Sequence, residues 1–177
     1  MDTLHHFPLE PYRERYTAFL SDWERAAFSS RFHLKTYDTA STGPMVIRSG
    51  RVLDTLQRGT WSLAQIAQAL PQMLLENSPK IWLSDFFTPG VEALMYAHND
   101  ARISGYCWAQ TFDQFDFTRE MLPWMRHYEA MMLSKMQHVF VASSGLKELI
   151  GAAFPHYEDK VKVVGLPYNS KSMVKVV

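Results

Sequence analysis

Short apolar runs alternate with stretches of helical periodicity along these 177 residues, and that alternation restricts the fold more than any single motif does. Strands are expected near residues 4–9, 31–36, 80–84, 102–108, 138–142 and 161–165. The first run, Leu4 to Leu9, closes at Pro8 and Pro11. Phe32, Leu34 and Thr36 alternate with His33 and Lys35, as in a half-buried strand. Met45 to Ile47 adds a short edge strand after the turn chemistry of Asp38 to Pro44. Between the strands lie five expected helices. The first runs from Glu14 to Phe28. The second is capped by Ser62, shows Leu63, Ile66, Ala67, Leu70, Met73 and Leu74 on one face, and is kinked or broken at Pro71. The third opens at Thr88-Pro89-Gly90, with proline at its first position. Pro123 starts the fourth, and Ser143 caps the fifth, Gly145 to Phe154.

Repeated strand–helix units require crossovers, and crossovers make a parallel sheet covered by helices on both faces. The expected fold is therefore α/β: a three-layer Rossmann-like domain with a mainly parallel sheet, the first strand lying centrally. Residues 1–177 form one domain, with no internal repeat, low-complexity tract or linker. The apolar-rich ending Lys171 to Val177 has neither cap nor polar tail and reads as the start of a further segment.

Eighteen basic residues balance eighteen acidic ones, so no net field draws the chain to nucleic acid or to a membrane. Cys107, the one cysteine, rules out an internal disulfide framework and fits a reducing compartment, so a cytoplasmic location is expected. The N-terminus lacks signal-peptide character, and no apolar stretch is long enough to span a membrane. No Gly-x-Gly-x-x-Gly or phosphate-loop motif follows any strand, which argues against a dinucleotide dehydrogenase or P-loop NTPase. The histidines have no metal-ligand spacing, and neighbouring His5 and His6 must point to opposite faces of a strand. Neither a metal nor a cofactor is expected.

Ligands of doubly wound sheets bind outside the carboxyl ends of the strands. The loop after the fourth main strand stands out there, because Asp113 and Asp116 alternate with Trp108, Phe112, Phe115 and Phe117. Aromatic faces stack on sugars or bases, and a carboxylate binds hydroxyls or serves as a base. The same residues also suit a loop whose rings fill the core and whose aspartates cap a helix. Asp85, ending the third main strand, carries the same two readings. Arg13 and Arg15 suit phosphate or a polyhydroxylated ligand, or are simply exposed helix arginines.

Several segments together resemble the N-terminal, acceptor-side half of a GT-B glycosyltransferase of phage or prokaryotic type. They are Ile81 to Asp85, Pro89 to Leu94, Gly105 to Ala109, Val139 to Lys147 and Val161 to Pro167, with the opening Pro8 to Thr17. The resemblance implies a transferase moving a sugar from a nucleotide-sugar donor, with a C-terminal donor-binding domain as partner. The chain alone is then expected to be inactive. It also implies that Asp85 or Asp113 positions or deprotonates the acceptor hydroxyl if the mechanism inverts. Trp108 and Phe112 would stack on the acceptor, with Arg13, Arg15, Tyr16 and Asp116 as further binding residues. The acceptor class stays open and includes modified DNA bases. A non-catalytic α/β interaction module, using the aromatic loop and the Met-rich helix, is the rival from another class. A small hydrolase or isomerase with its own carboxylate site is a third.

Overall fold

The computed structural model describes residues 1–11, 17–41, 43, 47–48, 51–52, 55–108 and 110–166. Arg13, Arg15, Tyr16 and the Lys171–Val177 ending lie outside the described residues.

Six strands build one all-parallel sheet: β1 (Thr3–Phe7), β2 (His33–Thr36), β5 (Lys80–Leu83), β6 (Arg102–Cys107), β7 (Met136–Val141) and β8 (Val161–Val163), in the order β2-β1-β5-β6-β7-β8. Of the segment expected as an edge strand, Met45 and Val46 lie outside the described residues, and Ile47 belongs to a separate antiparallel pair, β3 (Ile47–Arg48) with β4 (Arg51–Val52). The helices are α1 (Thr17–Ser29), α2 (Thr55–Met73), α3 (Val91–Ala97), α4 (Leu122–Lys135) and α5 (Ser144–Ala153). The result is the expected three-layer α/β domain, with β1 in the interior of the sheet.

Its two helical layers are unequal. Strand order runs leftward from β1 to β2 and rightward thereafter, so crossovers of one hand put α1 on one face and the later helices on the other. Phe7, Ile81, Leu83, Ile103, Cys107, Val139, Val141 and Val161 share the second face. They form one core with Ile66 and Met73 of α2, Val91 and Leu94 of α3, Met132 and Leu133 of α4, and Ile150 of α5. Gly105 sits in this face because nothing larger fits: a Cβ there would lie 2.5 Å from the Leu83 carbonyl oxygen.

Three local expectations change. Ser62 is not a cap, since α2 begins at Thr55 and carries Ser62 buried in its interior. The inward face of α2 is Trp61, Ser62, Gln65, Ile66, Ala69 and Met73, while Leu63 and Leu74 are exposed. Trp61 and Gln65 take inward positions because the Pro8 and Tyr37 carbonyls there need donors. Pro71 lies in the last turn and the helix ends two residues later, so the proline falls at the end of α2 and does not break it in its length. The cap of α3 is Gly90, at φ 91°, and Pro89 precedes it. Pro123 at the start of α4 and Ser143, accepting from the Leu146 N–H ahead of α5, stand as expected.

Candidate functional site

Strand order reverses between β1 and β5, and such a switch point is where a doubly wound sheet has its ligand crevice, outside the carboxyl ends of the two strands. Pro8-Leu9-Glu10-Pro11 follows β1 and Ser84-Asp85 follows β5. The first half of α2 spans the loops around this crevice. Trp61 Nε1 and Gln65 Nε2 donate to the Pro8 carbonyl at 2.9 and 2.8 Å, and Gln65 Nε2 also donates to the Tyr37 carbonyl at 2.9 Å. Arg58 donates from Nε to the Phe87 carbonyl at 3.0 Å and from Nη2 to the Thr88 hydroxyl at 3.2 Å, and its Nε lies 3.8 Å from Asp85 Oδ2. Glu10, almost fully buried, accepts from the Ser41 hydroxyl at 2.9 Å.

Residues 58, 62 and 65 fall on one helical face, and each carries a buried polar atom without a hydrogen-bond partner: Arg58 Nη1, Ser62 Oγ and Gln65 Oε1. Since Gln65 Nε2 is spent on two carbonyls, its free atom is an acceptor, beside donors from Arg58 and Ser62. Most buried polar atoms in proteins are paired, so three unpaired ones on a single helical face make it the candidate site.

The aspartates singled out from the sequence all hold turns. Asp85 Oδ1 accepts from the Phe87 N–H at 3.0 Å, Asp113 Oδ1 from the Phe115 N–H at 2.9 Å, and Asp116 Oδ1 from the N–H and hydroxyl of Thr118 at 2.8 and 2.6 Å. Asp116 thereby caps the short 3-10 helix Phe117–Met121. Trp108 Nε1 donates to the Ser84 carbonyl at 2.7 Å, which ties it to the turn that holds Asp85. Its ring packs 4.1 Å from that of Tyr106, whose hydroxyl donates to Gly165 and whose pKa burial pushes up to about 12. Phe112 packs edge-on against Phe154, the residue after α5, instead of offering an open face.

His5 and His6 face opposite ways as expected, and each meets a carboxylate. His6 Nε2 donates to Glu24 Oε2 at 2.9 Å, and Glu24 also accepts from the Ser84 hydroxyl and from Trp82 Nε1 at 2.8 Å. A serine, a histidine and an acid are thus together, yet serine and acid both meet the same ring nitrogen. A nucleophilic relay needs them on different nitrogens, so this cluster is a brace between α1 and the sheet. On the other side His5 Nε2 donates to Glu76 at 2.7 Å, and Nδ1 accepts from the Tyr37 hydroxyl at 2.6 Å. Burial pushes the His5 pKa down. Burial also opposes ionisation of Glu76, but hydrogen bonds from Lys35 and His5 outweigh it and hold that carboxyl below its usual value.

Arg58, Gln65 and Glu24 were missed in the sequence. Glu24 alone left a trace, by interrupting the i, i+4 row Leu20–Glu24–Phe28 of α1. Among the described residues no group of three or more His, Cys, Asp and Glu is placed to hold a metal, and no helix is long and apolar enough to cross a membrane.

The fold is thus a doubly wound α/β domain, with a face of buried, unpaired polar atoms on the helix nearest its topological switch point. No protein-family model matches the chain, and no curated protein matches it.

Proposed function

We propose that this chain is the acceptor-binding domain of a cytoplasmic glycosyltransferase that takes its sugar from a nucleotide-sugar held by a separate C-terminal domain. The observation that carries the reading is the inward face of α2 at the switch point. Arg58 and Ser62 there offer donors and Gln65 an acceptor, between the Glu10 and Asp85 loops. Such a mixed set matches hydroxyls, which both donate and accept. The loop after β1 is Pro-Leu-Glu-Pro, without the glycines that let backbone N–H groups cradle a diphosphate, so this domain suits the acceptor better than the donor. Asp85 is then the residue to position or deprotonate the acceptor hydroxyl, with Trp108 packed beside its turn. Asp113, Asp116 and Phe112 serve from the neighbouring loop, and Arg13, Arg15 and Tyr16 from the segment after β1.

Calorimetry with UDP- and GDP-sugars, alongside a panel of glycans and glycosides, tests this. Glycan binding weakened by Gln65→Ala is expected, with no nucleotide-sugar Kd tighter than about 10 μM. Tight nucleotide-sugar binding without any glycan would overturn the assignment. The rival reading, a non-catalytic interaction module, draws support from the aspartates, because Asp85, Asp113 and Asp116 each already hold a turn.

A further inference from the structure

Parallel sheets are covered on both faces, because their strands are apolar or half-apolar all round. Here α1 is the only described helix on its face, packed over β1 and reaching β5 through the contact of Phe28 with Trp82 at 5.0 Å. Beyond Trp82 the face continues across β6, β7 and β8 with no described helix over it. Its floor is aromatic. Trp82 of β5 and Phe140 of β7 meet at 5.4 Å across β6, whose small Ser104 is in register with Trp82. Both rings are half-buried, and they line a cavity of ≈ 330 Å³ together with Phe28, Phe32 and Ser104.

The charge on this face has one sign. Register places Lys80, Arg102 and Lys162 there, and no strand residue on the face is acidic. Asp2, just before β1, pairs with Lys80, and Glu24 is buried under α1 among His6, Ser84 and Trp82. Arg102 and Lys162 are exposed, one at the amino end of the sheet and one on its edge strand. An apolar floor with cations along its margins is complementary to an apolar stripe flanked by carboxylates.

We infer that the part of this face over which no described helix lies docks an acidic amphipathic helix of a partner protein, its apolar stripe on Trp82 and Phe140 and its carboxylates beside Arg102 and Lys162. Ser104, small and in register with Trp82, leaves room beside the paired rings for the ridge of such a helix, as in helix-in-groove recognition. The surface is separate from the crevice, since it lies on the α1 side of the sheet and α2 lies on the other.

Titration of the chain with a capped peptide of about five helical turns, leucine on one face and glutamate on its flanks, tests the inference. The same peptide with lysine for glutamate is the comparison. Saturable binding of the glutamate peptide alone is expected, weakened about tenfold or more by Arg102→Glu with Lys162→Glu. Lys135→Glu, on the opposite helical layer, should leave it unchanged. Both substituted positions are exposed, so a circular dichroism melt should show the variants folded. No saturable binding, equal binding of the lysine peptide, or an equal loss in Lys135→Glu would overturn the inference. So would sedimentation showing that the free chain self-associates and that Arg102→Glu abolishes it, because the occupant would then be a second copy.

Discussion

Glu24 of α1 lies 2.9 Å from His6 of β1, and both side chains are buried. This contact joins the helix to the sheet on the face where no other described helix helps. The same carboxylate also takes the Ser84 hydroxyl and the Trp82 indole N–H, so one side chain gathers three donors from β1, from β5 and from the turn after β5.

Glu24→Ala should therefore cost about 3 kcal/mol or more, because it leaves those donors buried without an acceptor. Glu24→Gln should cost less, since its carbonyl still accepts. Urea unfolding monitored by circular dichroism reads both; equal, small effects would mean that the cluster is not a brace.

The His5 pKa is depressed, so between its folded value and the usual 6.5 the unfolded chain binds more protons than the native one. Stability from this site is complete above about 6.5 and is lost as pH falls through the folded value. Glu76, also depressed, adds a second decline of the same sign below its usual 4.5. The urea midpoint should fall on acidification from pH 7, and His5→Gln should flatten the upper part of that fall.

Glu129 should act with the opposite slope. Burial raises its pKa, against hydrogen bonds from the Thr111 N–H and hydroxyl, both at 2.8 Å. The native chain then holds the proton longer than the unfolded one. The site's contribution is full below about 4.5 and is lost as pH rises through the folded value. Glu129→Gln should remove that slope, and Glu129→Ala should cost about 2 kcal/mol by stranding both Thr111 donors. Unfolding curves across pH 4 to 8 separate the two effects.

Gly105→Ala should destabilise the fold by about 3 kcal/mol or prevent folding, because its Cβ would meet the Leu83 carbonyl oxygen at 2.5 Å and the Leu83 Cβ at 2.9 Å. Those are backbone and near-backbone atoms, which cannot move aside within a paired strand. A soluble variant with an unchanged melting temperature would refute this.

Asp85→Asn and Asp113→Asn should both keep the fold, since an amide oxygen can still accept the turn N–H of Phe87 or Phe115. If the proposed function holds, at least one should lower the rate of sugar transfer about 100-fold or more. Normal transfer in both variants would leave these aspartates as turn holders only.

The sequence by itself determined the elements and much of their punctuation. Short runs at 81–83, 103–107, 139–141 and 161–163 between helical stretches read as strands and are strands, and Pro123 and Ser143 start helices by local chemistry. The opposition of His5 and His6 also follows from a strand's period of two. Their partners do not: Glu76 lies 71 residues from His5, and Glu24 is reached only because α1 folds back over β1. Tertiary structure alone decided which side of α2 turns inward, because Gln65 and Trp61 are drawn there by the Pro8 and Tyr37 carbonyls, against the hydrophobic pattern that favoured Leu63. It also decided how the described helices divide between the faces: the reversal of strand order at β1 sends α1 one way and the four later helices the other, and no local propensity records that division.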